Sequence, residues 1–109
     1  MERKELEALI KSDLEEIGKK FTEKNQRYGE SKDGLFNFTA GATLIFGEVT
    51  PDTQYRTLFA YASKHLVTLS REDALTADPE FAERCLDVAV YMLIARAMHK
   101  MHLEEMHIS

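Results

Sequence analysis

The sequence has few of the features that mark membrane, secreted or nucleic-acid-coating proteins. It has one cysteine, Cys85, so no disulfide forms within the chain, and the apolar run around it predicts a buried thiol in a reducing compartment. The longest nearly uncharged run, Val88 to Ala95, is far shorter than the roughly 20 residues that span a bilayer. The first residues are too highly charged for a signal peptide. We therefore expect a cytoplasmic protein that does not enter a membrane.

The chain also lacks the excess of basic residues that nucleic-acid binding favours. It has 14 Lys and Arg against 19 Asp and Glu, for a net charge of −5. Because phosphate backbones attract basic surfaces, this balance argues against nucleic acid as a partner. At 109 residues, with 44% hydrophobic and 30% charged residues, the composition predicts one folded domain over 1–109.

Hydrophobic spacing predicts an all-α fold with four helices. Apolar residues recur every three or four positions over 2–27, which indicates a long first helix with one apolar stripe. We predict further helices over 35–46, from Pro51 to about Leu69, and over 79–102. A strand over Ala42–Phe46 is the alternative for part of the second helix.

Proline marks the starts of the last two predicted helices. Thr50-Pro51-Asp52 provides a cap, a proline for the first helical position and an acid for the positive helix end, and Asp78-Pro79-Glu80 repeats this signal. Residues 70–77 form a connector with room for one helical turn. Between residues 85 and 98 the fourth helix is apolar on nearly all sides, which predicts that it lies at the centre of the fold.

The lengths of the first and fourth helices suggest self-association. Each would be about 35–40 Å long at 1.5 Å per residue, whereas a compact monomer of this size has a radius of gyration of only about 13 Å. We therefore predict a helical homodimer or larger homo-oligomer.

An ordered set of short motifs runs from Lys24 to about Met98. In chain order the motifs are Lys24-Asn25, Tyr28-Gly29-Glu30-Ser31, Asn37-Phe38, Thr50-Pro51, Lys64-His65 and Asp87-Val88-Ala89-Val90-Tyr91. This series resembles small phage proteins of the nucleotide-modification-associated, MazG-like family. The resemblance implies an all-α oligomer that handles nucleotides in the cytoplasm of an infected or lysogenic bacterial host. Enzymes of the broader family use Mg²⁺ to cleave nucleoside triphosphates to monophosphate and pyrophosphate.

The resemblance also implies roles for particular residues. Asp87 and Glu83 would hold Mg²⁺ and form the catalytic acids, since Mg²⁺ prefers carboxylate, water and phosphate oxygens. Lys64 would contact phosphate, and the nucleotide-binding side chains would be Tyr28, Tyr91 and His65. Two alternatives remain. In the first, Glu83 and Asp87 lie in the solvated first turns of their helix, where the helix dipole favours acidic residues. In the second, His65 is a structural residue.

Two positions depart from the acid pattern of MazG-like enzymes, which carry Glu-Glu-x-x-Glu on an early helix and Glu-x-x-Asp on a later one. Glu15-Glu16 is followed by Lys19 where an acid is expected, and Arg84 stands three residues before Asp87. These departures leave a second hypothesis open. The chain would then be a non-catalytic binding protein that sequesters a nucleotide or inhibits a host protein through a helical, acidic surface. The third hypothesis is that the protein is a purely structural helical oligomer.

The C-terminal histidines are a separate candidate for metal binding. His99 and His102 are three residues apart, a spacing that allows a metal to bridge one helix face. The chain offers few further ligands nearby, with Glu105 as one candidate. A frayed or oligomer-packed helix end is the favoured interpretation of this segment.

Overall fold

The computed structural model describes residues 1–27 and 34–108, and this part of the chain is helical with no strand. Its five helices are α1 (Arg3–Arg27), α2 (Phe36–Phe46), α3 (Pro51–Leu69), α4 (Ala74–Ala77) and α5 (Phe81–Ile108). The predicted all-α fold with long first and last helices is thus confirmed. The alternative strand over Ala42–Phe46 is wrong, because these residues belong to α2.

Local capping sets the boundary between α2 and α3. Gly47 ends α2 in the left-handed conformation (φ 74°), where its N–H donates to the carbonyl of Thr43. Thr50 then caps α3: its Oγ1 accepts from the N–H of Thr53 at 3.0 Å, and Thr53 Oγ1 accepts from the N–H of Thr50 at 2.8 Å. Pro51 fills the first helical position as the sequence predicts.

The boundaries of the later elements differ more from the prediction. The connector contains the one-turn helix α4, and α5 starts at Phe81 rather than Pro79 and continues beyond His102 to Ile108. Asp78 explains the late start, since its Oδ1 accepts from the N–H of Glu80 at 2.9 Å and holds a turn before the helix.

The chain forms two compact units, Met1–Gly34 and Leu35–Ser109. The first unit consists of α1 and its following residues, and five of its large apolar side chains are exposed by 44–60%: Leu6, Leu9, Ile10, Leu14 and Phe21. The prediction of one domain over 1–109 stays a prediction.

Helix α3 lies at the centre of the second unit and packs against α2, α4 and α5. The buried apolar residues there are Phe38, Ala42, Leu58, Ala62 and Ala74. The prediction that the last helix is central is wrong, because none of the described residues of α5 is fully buried. Although α5 is apolar around much of its circumference, its neighbours cover only part of it.

Helices α2 and α3 approach closely at Gly41. A Cβ added to Gly41 would lie 2.6 Å from Cγ2 of Thr57 and would also clash with the hydroxyl of Tyr61. The same interface has a polar link, in which Gln54 Nε2 donates to Thr39 Oγ1 at 3.0 Å. The absence of a side chain at position 41 therefore sets the distance between the two helices.

The surface properties of the described helices test a further prediction. Cys85 is exposed, so the prediction of a buried thiol is wrong. No helix in residues 1–27 or 34–108 combines the length and apolarity needed to cross a bilayer.

Candidate functional site

Three of the motif segments meet in the second unit. Phe38 comes from α2, His65 from α3, and Asp87 and Tyr91 from α5. The Tyr91 ring centroid lies 6.4 Å from that of Phe38, in an edge-on arrangement, and 6.5 Å from that of His65. His65 Nε2 lies 3.6 Å from Asp87 Oδ2. We call these four residues the His65 cluster.

His65 is held between the rings and the Asp87 carboxylate. The Nε2–Oδ2 distance of 3.6 Å exceeds that of a hydrogen bond, so the pair interacts by charge and dipole attraction. The side chains of His65 and Asp87 are 24% and 20% exposed. Nδ1 of His65 is buried and accepts or donates no hydrogen bond among the described residues. Since Nε2 faces Asp87 and Nδ1 is shielded from solvent, this geometry favours a positioning role for His65 over proton transfer to a ligand.

The predicted metal-binding acids lie one turn apart on α5. Glu83 is exposed, Asp87 is partly buried, and a spacing of four residues places both on one face of the helix. The described residues contain no group of three or more His, Cys, Asp or Glu side chains arranged around a common point. Two carboxylates suit Mg²⁺, which is often held by one or two protein carboxylates together with substrate phosphates and waters. They do not form a closed protein site.

The other predicted binding residues differ in their exposure and in their contacts. Lys64 is exposed on α3, and its neighbour His65, rather than Lys64, makes the contact with Asp87. Tyr91 is half-buried, with its ring packed against Phe38 and His65. Tyr28 lies outside the described residues. The histidine pair of the C-terminal segment, His99 and His102, belongs to no candidate metal group in the described part of the chain.

Tyr61 belongs beside this cluster, and the sequence analysis did not select it. Its ring centroid lies 6.0 Å from that of Phe38, and its hydroxyl faces Gly41. The signal was present in the sequence, because Tyr61 and His65 are one helical turn apart and therefore share a face of α3.

Arg84, three residues before Asp87, binds the residues that precede α5. Its Nε donates to Asp78 Oδ2 and its Nη2 donates to Glu80 Oε2, both at 3.0 Å. The guanidinium thus stabilises the start of α5. Lys19 is exposed on α1.

Asp78 should make the stability of the second unit depend on pH. The backbone N–H of Glu80, followed by the side-chain hydrogen bond and the charge of Arg84, lowers the pKa of Asp78 below its ordinary value of 3.8. The stabilisation is therefore fully present above pH 3.8 and is lost as the pH falls through the lowered folded-state pKa.

We expect Asp78→Asn to be less stable than the wild type at neutral pH and the difference to shrink in acid. Urea unfolding followed by circular dichroism between neutral pH and pH 3 measures this difference. Glu72→Gln, at a nearby exposed carboxylate, is the control. A stability difference that stays constant across this range would contradict the assigned contacts.

A surface hollow of about 410 Å³ lies where α3, α4 and α5 meet. Charged side chains of both signs line it: Arg71, Glu72, Asp73, Asp78 and Arg84. Because acids there outnumber the arginines, and Arg84 is bound to two of its acidic neighbours, the hollow has no net attraction for phosphate.

Comparison with known proteins adds no family to these observations: no protein-family model, no curated protein and no solved structure matches the chain.

Proposed function

We propose that the protein is a MazG-like nucleotide-handling protein that binds a nucleoside triphosphate with Mg²⁺ at the exposed side of the His65 cluster. The observation that carries this proposal is the convergence of motif residues distant in the sequence. His65, Asp87 and Tyr91 belong to two of the motifs, and they lie in contact across α3 and α5. Phe38, from a third motif, packs against Tyr91.

The surface chemistry around the cluster is compatible with a bound, metal-neutralised polyphosphate. Asp87 and Glu83 offer carboxylate oxygens on one face of α5, and the metal would offset the charge of the phosphates. Lys64 provides a solvent-accessible ammonium on α3, which can contact phosphate as a point charge. His65 would keep the Asp87 carboxylate in place, and Tyr91 would supply an aromatic edge for the nucleotide.

Binding without hydrolysis is the second candidate function, and Arg84 favours it. Its guanidinium occupies the position of an expected acid and is engaged with Asp78 and Glu80. Because an arginine stands where the family pattern has an acid, the protein would have one carboxylate fewer to hold a metal or activate a water. A protein that sequesters a nucleotide fits this arrangement. The related alternative, which the acidic composition suggests, is a protein that inhibits a host protein.

The test combines thermal unfolding with product analysis. We expect Mg²⁺ plus one of the common ribo- or deoxyribonucleoside triphosphates to raise the melting temperature, since a ligand that binds only the native state stabilises it. We expect Asp87→Asn to lower the affinity for that nucleotide by about tenfold or more, which corresponds to about 1.4 kcal/mol of binding free energy. Glu104→Gln, at an exposed acid farther along α5, should bind like the wild type.

Chromatography of the same mixtures separates the two candidate functions. Monophosphate and pyrophosphate that form with Mg²⁺ and disappear in Asp87→Asn would identify a pyrophosphohydrolase. A melting shift without products would select the binding protein. If no triphosphate shifts the melting temperature, or if Asp87→Asn binds as tightly as the wild type, the proposed site is wrong.

A further inference from the structure

The C-terminal part of α5 is the part of that helix which α2, α3 and α4 leave uncovered. Met98 is the last residue of α5 that is half-buried, and every residue from His99 to His107 is exposed. The helix nevertheless continues without interruption to Ile108. The side chains of this segment therefore keep regular helical positions relative to one another while they are open to small ligands.

Two methionines and a histidine share one turn at the start of this segment. Met101 follows Met98 by three residues and His102 follows it by four, so the three side chains lie on one face of α5. Because successive residues of a helix turn by about 100°, Met101 and His102 lie on either side of Met98 and one turn farther along. Two thioether sulfurs and one imidazole thus form a triangle of donors that can converge on a single ion.

The types of donor select the metal. Thioethers are soft ligands that favour Cu(I), whereas Mg²⁺ prefers oxygen, and Zn²⁺ is bound by imidazole, thiolate and carboxylate. Among the described residues, no group of three or more His, Cys, Asp and Glu side chains could hold a metal. The pair of His99 and His102 therefore lacks the further ligands of a zinc site, while the two methionines offer His102 the partners that Cu(I) prefers.

The exposure of these residues distinguishes them from methionines that only fill a core. Met98 is half-buried, but Met101 is 50% exposed and His102 is exposed. Glu105 is an exposed acid on the same face, three residues after His102, where a carboxylate can accept the second ring N–H of a metal-bound histidine. We propose that Met98, Met101 and His102 form a Cu(I)-binding site. It lies eleven residues beyond Asp87, about 16 Å along α5, and is separate from the proposed magnesium site.

Competition for Cu(I) with the coloured chelator bicinchoninate, in the presence of ascorbate, tests the site. The full-length parent protein carries Cys85→Ser, because the exposed native thiol would itself bind Cu(I). We expect the parent to take Cu(I) from the chelator. Met98→Leu and His102→Ala should each lower its affinity by about tenfold or more, since loss of even an outer-shell partner of a metal typically costs that much. Met98→Leu conserves the apolar volume, so the packing should be retained.

The matched controls are His99→Ala and Met92→Leu. His99 is an exposed histidine of the same segment, and Met92 is a 40% exposed methionine on another face of α5, so both variants should bind Cu(I) like the parent. Equal losses in His99→Ala and His102→Ala would assign the metal to the histidine pair and overturn the proposal. A parent that takes no Cu(I) from the chelator, or a Met98→Leu variant that binds as tightly as the parent, would also overturn it.

Nuclear magnetic resonance with Ag(I), a soft ion that is not oxidised in air, identifies the ligands without any substitution at the site. In the same Cys85→Ser protein, the ε-methyl signals of Met98 and Met101 and the imidazole signals of His102 should shift on addition of Ag(I). The methyl signal of Met92 should stay in place. Shifts of the histidine signals alone, with both methionine signals unchanged, would show that the thioethers are not ligands.

Discussion

Replacing Leu58 by alanine is expected to lower the free energy of unfolding by about 2–5 kcal/mol. Leu58 is fully buried in α3, the helix on which α2, α4 and α5 pack. The other fully buried apolar residues of this unit are Ala42 and Ala62, whose side chains are too short to extend into the space. The substitution would therefore leave a cavity in addition to the lost burial of the leucine side chain.

The matched control for Leu58→Ala is Leu44→Ala on α2. Leu44 is 87% exposed, so its truncation should change the stability by no more than about 0.5 kcal/mol. Urea unfolding monitored by circular dichroism compares both variants with the wild type. Equal losses at the two positions would contradict the placement of the core around α3.

Replacing Gly41 by alanine is expected to lower the free energy of unfolding by about 1–3 kcal/mol. Helix propensity alone predicts the opposite, a gain of up to about 1 kcal/mol. The added methyl group, however, would meet the methyl group of Thr57 and the hydroxyl of Tyr61. Thr57 is fully buried and its Oγ1 donates to the carbonyl of Thr53 at 2.8 Å, so its methyl group has little freedom to move away.

Gly18→Ala measures the effect of alanine on helix propensity at a position where the added methyl group causes no clash. Gly18 also lies within a helix, but a Cβ there would meet no atom within 4 Å, so this variant should be as helical as the wild type or more so. The ellipticity at 222 nm reports helix content, and urea unfolding reports the stability of Gly41→Ala. A Gly41→Ala protein that is more stable than the wild type would show that α2 and α3 are not in close contact at this point.

Local sequence signals predicted most of the helices correctly. Thr50, Pro51 and Gly47 act through hydrogen bonds and dihedral angles within a few residues, so the boundaries near them could be read from the sequence. The start of α5 was missed because Asp78 forms a turn with Glu80 that competes with the helical start signal at Pro79.

The candidate site was predictable in part. Asp87, His65 and Tyr91 were each selected from their motifs, yet their spacing along the chain does not show which of them are neighbours. The sequence predicted a phosphate contact for Lys64 and did not show that its neighbour His65 would lie beside the Asp87 carboxylate. The helical spacing of Tyr61 and His65 placed both on one face of α3, but the position of Tyr61 next to Phe38 depends on the close packing of α2 on α3.

By itself, the sequence determined the helical class, the presence of two long helices at the ends of the chain and the apolar stripe of α1, since these depend on periodicity and on interactions between near neighbours. Only the tertiary structure decided which helix is central. The last helix is the more apolar one over much of its length, but α3 is the helix whose faces are covered by α2, α4 and α5. Burial depends on contacts between distant segments, so hydrophobicity along one segment does not reveal it. For the same reason, Cys85 lies in an apolar run and is nevertheless exposed.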